Sequence, residues 1–91
     1  MENEKIQDLI QDLERVSELL YQDKKDEGYT ILNPCIQKLS IFAGILTNEV
    51  DQIEFINLLK SALEAMEAEN LTLLADIIQY DIINKIEQYE E

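Results

Sequence analysis

Histidine and tryptophan are absent from this sequence of 91 residues, cysteine and proline occur once each, and there are only two glycines. Each scarcity removes a class of explanation. Without histidine there is no Ser-His or Cys-His nucleophile pair and no imidazole ligand. The lone Cys35 cannot close an intramolecular disulfide and has no companions for a zinc site. Gly28 and Gly44 are isolated, so no glycine-rich phosphate loop exists. So few breakers favour long helices over a many-turned sheet. Basic residues are scarce too: 7 Lys and Arg stand against 20 Asp and Glu, for a net charge of −13. A surface of that sign repels phosphate backbones and anionic headgroups, which argues against direct binding of nucleic acid or membrane. No apolar run approaches the length of a membrane span, and the opening Met1-Glu2-Asn3-Glu4 has neither part of a signal peptide. The expectation is a cytoplasmic protein without a cofactor.

What the sequence does have is apolar periodicity. Apolar residues make up 46% and charged residues 30%, a globular composition that fits one domain over residues 1–91. The spacing predicts an all-α, up-down four-helix bundle with helices over about 4–22, 26–47, 51–68 and 70–89. In the first, Ile6, Leu9, Ile10, Leu13, Val16 and Leu20 share one face. The second is different in kind. From Gly28 to Asn48 its only charged residue is Lys38. A stripe of Tyr29, Leu32, Ile36, Leu39, Ala43 and Leu46 is widened by Ile31, Cys35 and Phe42 to an arc of about 160°, enough to touch more than one neighbour.

Pro34 falls inside this segment. The stripe keeps its phase from Leu32 to Ile36, so one helix kinked at Pro34, with the ring toward solvent, is expected rather than two. The third helix directs Phe55, Ile56, Leu59, Ala62, Leu63 and Met66 inward, with Asn48 or Asp51 as its cap. Asn70 caps the fourth, which carries a main stripe through Leu71, Leu74, Ala75, Ile78, Ile82, Ile86 and Tyr89. A second stripe of Leu73, Ile77 and Tyr80 lies roughly half a turn away.

The run Ala65-Met66-Glu67-Ala68-Glu69-Asn70-Leu71-Thr72-Leu73-Leu74-Ala75-Asp76-Ile77-Ile78-Gln79-Tyr80-Asp81-Ile82 resembles the ending of a family of small, uncharacterised acidic helical proteins of spore-forming bacteria. Glu27-Gly28-Tyr29 followed by Ile31-Leu32-Asn33 resembles the start of their second helix. The likeness covers about a third of the chain and departs at Pro34, where an ordinary helix former is expected. It implies no enzymatic activity and no catalytic residues.

Chemistry therefore has little to start from: no catalytic, cofactor or metal residues are assigned, and Cys35 is read as a small core residue. Apolar surface beyond what one small core can use points instead to a protein partner, either a second copy in a homodimer or a basic, amphipathic helix. The residues singled out for that contact are Leu73, Ile77 and Tyr80 on the fourth helix, with Ile31 and Phe42 on the second. The function expected is a non-catalytic interaction, adaptor or chaperone-like role. The alternatives are an acidic mimic of nucleic acid that fills a basic groove, or a purely structural self-associating protein.

Overall fold

The computed structural model describes residues 3–89, which form four helical rods and, among the described residues, no strand. The first, α1, spans Asn3–Tyr21; α2 spans Lys25–Ile45; α3 spans Glu49–Glu67. The fourth rod, α4, covers residues 71–89 and changes its winding along the way. It is α-helical over Leu71–Asp76, π-wound over Ile77–Ile82 and α-helical again over Ile83–Tyr89. No described helix is long and apolar enough to cross a membrane.

The ends of these rods follow from local chemistry. Asp23, at φ 62°, reverses the chain after α1. The Lys24 and Asp23 amides then donate to the Leu19 and Leu20 carbonyls at 2.9 and 3.0 Å, closing the last turn. Glu69, at φ 55°, does the same after α3, where the Asn70 amide reaches the Ala65 carbonyl at 3.0 Å. The Lys25 ammonium also donates to the Glu69 carboxylate at 2.8 Å, which ties these two reversals together. Asn48 caps α3 by accepting from the Val50 and Asp51 amides, and Asn70 caps α4 by accepting from Leu73. Helix α2 runs unbroken through Pro34, whose ring is exposed.

Packing centres on α1, which touches both α2 and α4 along much of its length. Its Leu9, Leu13 and Val16 are fully enclosed. Helices α2 and α3 run in opposite directions: the Tyr29 hydroxyl donates to the Met66 carbonyl at one end, and Phe42 meets Phe55 at a centroid distance of 5.2 Å at the other. Helices α1 and α4 are likewise opposed, with Tyr21 donating to Asp76 and Ser17 paired with Gln79 at 2.7 Å. Ser17 also lies 2.9 Å from the Glu14 carbonyl oxygen. One hydroxyl proton serves both contacts if Ser17 donates to the carbonyl and Gln79 turns its amide nitrogen to the hydroxyl.

Two expectations are corrected here. Ile56 and Leu63 do not face inward; they are 44% and 42% exposed, and the fully buried positions of α3 are Phe55 and Ala65. Phe42 is not surface: it is buried against Phe55 and Tyr89, because three rings at one end of the core pack better together than apart.

The two glycines make a matched test of packing. A Cβ on Gly28 would meet Leu20 Cδ2 at 2.9 Å, where α2 lies against α1, whereas one on Gly44 meets nothing within 4 Å. Gly44→Ala is expected to raise stability by about 0.5–1 kcal/mol through helix propensity. Gly28→Ala is expected to lower it by about 1 kcal/mol, since overpacking against a buried Leu20 outweighs the same gain. Urea unfolding midpoints of the two variants check both signs.

Candidate interaction surfaces

Helix α3 is the rod held most loosely to the core. Beyond Phe55 and Ala65, its inward contacts come from half-buried Leu58, Leu59, Ala62 and Met66. A rod anchored at so few points leaves hollows along both flanks, and each flank carries a distinct surface.

Between α3 and α4 lies an open channel of ≈ 540 Å³. Leu58 and Ala65 form one wall, Leu73 and Ile77 the other, and the carboxylates of Glu64 and Asp81 edge it. Tyr80 and Asp81 continue this surface toward the end of α4. Of the five residues singled out from sequence, two line this channel: Leu73, at 45% exposure, stands over a buried Ile77, while Tyr80, at 64%, lies on the adjoining surface with its hydroxyl near that of Tyr21. Ile31 is half-buried on α2, away from this channel, and Phe42 is core. Glu64 and Asp81 were not singled out as a pair, because two positions on different helices share an edge only once the helices are docked. Lys85, which borders the same end, donates to Glu54 at 3.0 Å and so leaves Glu64 and Asp81 unneutralised by it.

Between α2 and α3 lies a second, much shallower groove of ≈ 50 Å³. Leu32, Ile36 and Leu39 of α2 face Leu59, Leu63 and Met66 of α3, and Leu74, Ile78 and Ile82 of α4 form the floor. Ser40 is the one hydroxyl among its lining residues, and its proton goes to the Ile36 carbonyl at 3.1 Å. The groove is therefore hydrocarbon throughout. Its sequence signal is the charge-free stretch on either side of Lys38.

Neither surface carries a reactive group. Cys35 is buried, and desolvation, with Asp12 nearby, pushes its thiol up to about 11, so it stays protonated near neutrality. Tyr21 is pushed up to about 12, chiefly because its hydroxyl donates to Asp76. Among the described residues, no three His, Cys, Asp or Glu side chains are placed to hold a metal ion.

Residues 3–91 match the model of a family described as a domain of unknown function, DUF8042. No curated protein and no solved structure matches the chain.

Proposed function

We propose that this chain, which belongs to the DUF8042 family of unknown function, is a non-catalytic cytoplasmic adaptor that binds a basic, amphipathic helical segment of another protein in the α3/α4 channel. In this reading the four rods form an up-down bundle, with α2 bent at Pro34, whose task is to present that channel. The observation that carries the proposal is the exposure of Leu73 over Ile77 in a channel edged by the carboxylates of Glu64 and Asp81, with exposed Tyr80 on the surface that adjoins it. Apolar side chains of a partner would bury against Leu58, Leu73 and Ile77. Its Lys or Arg side chains would meet Glu64 and Asp81, with the face of Tyr80 open to a cation. The net charge of −13 supports the same partner, because it speeds the approach of a basic chain and opposes an acidic one.

The reading is tested by titrating a model helical peptide, with one leucine face and one lysine face, into the protein and following heat or fluorescence. Binding should weaken as salt rises. Leu73→Asp combined with Tyr80→Ser should weaken it at least about tenfold, which corresponds to 1.4 kcal/mol. The added Asp makes the surface more acidic, so a loss must come from the missing apolar contact. If the double variant binds the peptide as tightly as the wild type, attraction by net charge explains the binding and the channel is not the site.

A further inference from the structure

We infer that the α2/α3 groove is the contact surface between two copies of this chain. Two molecules of net charge −13 repel each other across most of their surfaces, so self-association needs a face without carboxylates. Helix α2 supplies one: from Gly28 to Asn48 it carries no acidic residue and a single Lys. Helix α3 complements it. Its Asp51 lies toward Lys85 and Tyr89, its Glu54 is bonded to Lys85 of α4 and its Glu64 edges the α4 channel, so all three point away from the groove. Glu49 and Glu67 are the first and last residues of α3. Between them on the groove side come Leu59 and Leu63, with Ile56 seven residues before Leu63 and hence on the same side.

This face is apolar and, between Glu49 and Glu67, free of carboxylates; its one charge on α3 is Lys60, four residues after Ile56 and three before Leu63. Leu63 and Ile56 are 42% and 44% exposed, beside a groove with hydrocarbon walls and no free donor. A foreign basic helix would find no carboxylate here to select it and would meet Lys60, whereas a second copy brings the same apolar surface without carboxylates. Such a contact is isologous, each copy's α2/α3 face meeting the other's. Size is adequate as well. Two helices of about twenty residues side by side present roughly 30 by 20 Å, on the order of the ~800 Å² per partner that a stable interface buries. The inference does not depend on the α3/α4 channel, which lies on the other flank of α3.

Sedimentation velocity across the micromolar range tests it. The wild type should show a monomer–dimer equilibrium that shifts toward dimer as salt rises, because screening weakens the residual repulsion. Leu63→Lys should raise the dimer dissociation constant about 100-fold, since an isologous contact loses the side chain twice. The substitution lowers the net negative charge, so the loss cannot be blamed on repulsion between the acidic molecules as a whole, and Leu63→Ser, which adds no charge, should lose affinity in the same direction. Ile56→Lys should repeat the result, and circular dichroism should show both variants folded, because each position is exposed. Leu73→Asp, on the opposite flank, should leave the dimer intact. A wild type that stays monomeric at every concentration and salt overturns the inference. It is equally overturned if the groove of that monomer takes up a neutral apolar dye, or if Leu73→Asp breaks the dimer while Leu63→Lys does not.

Discussion

Phe55→Ala is expected to cost about 3–5 kcal/mol, the range for emptying a fully enclosed aromatic site. For 91 residues the whole margin of folding is roughly 5–14 kcal/mol, so this one truncation would remove a large share of it. The reason lies in how α3 is attached. Phe55 is 0% exposed and meets Phe42 at 5.2 Å and Tyr89 at 6.5 Å between ring centroids, so it locks α3 to both α2 and α4. The other fully buried residue of α3 is Ala65, which has little side chain to anchor with. Leu63→Ala, at a position 42% exposed, should cost less than about 1 kcal/mol by comparison. Chemical denaturation of both variants, read as midpoints at constant slope, measures the contrast. Similar costs for the two would mean that the rim residues, rather than the ring trio, hold α3 in place. Hydrogen exchange supplies a second readout: α3 amides should be released before those of α1, whose inward face is enclosed at every turn from Leu9 to Leu20.

The difference between those helices also explains what was legible in the sequence. In α1 the apolar and charged residues segregate cleanly, so Ile6, Leu9, Leu13, Val16 and Leu20 could be placed inside from spacing alone, and they are buried. The Asn70 cap was readable for the same local reason, since it needs only the amide three residues ahead, whereas spacing left Asn48 and Asp51 as equal candidates for α3 and the structure takes Asn48. Helix α3 resists such reading. Ile53, Phe55, Ile56, Leu58, Leu59 and Leu63 spread hydrocarbon around most of its circumference, so several inward faces are equally good by periodicity. The choice is made by a distant partner: docking Phe55 into the Phe42 and Tyr89 rings turns Ile56 and Leu63 outward. Phe42 was misplaced for the mirror-image reason, lying at the margin of the wide arc of α2 with nothing local to assign it. Leu73, Ile77 and Tyr80 were visible as a second stripe, whereas the depth difference between Ile77 and its neighbours required the fold.

The winding of α4 leads to the other large effect. In an uninterrupted α-helix, with about 100° per residue, Ile83 would lie about 180° from Leu74, on the solvent side. It is buried instead, together with Leu74, Ile78, Ile82 and Ile86. The turns over Ile77–Ile82 bring this about: they close with bonds five residues long, such as that from the Ile83 amide to the Ile78 carbonyl, and so take up one extra residue without advancing the face. Burying an isoleucine is worth about 1.5–3 kcal/mol, enough to offset a locally wider helix. Removing one exposed residue from that stretch should therefore convert it to α-helix and keep every inward position in phase. Deletion of Asp81, which is exposed, is expected to change stability by no more than about 1 kcal/mol. Deletion of Glu14, equally exposed but in the middle of regular α1, has no slack to absorb it. It would rotate Leu9 and Ile10 about 100° away from Val16, Leu19 and Leu20, and neither half could be enclosed while the other was. The expected outcome is a folded, cooperatively melting protein without Asp81 and an unfolded or molten one without Glu14, distinguished by thermal melts followed by circular dichroism. If both deletions unfold the chain, the wide turns do not carry a surplus residue, and Ile83 must reach the core by another route.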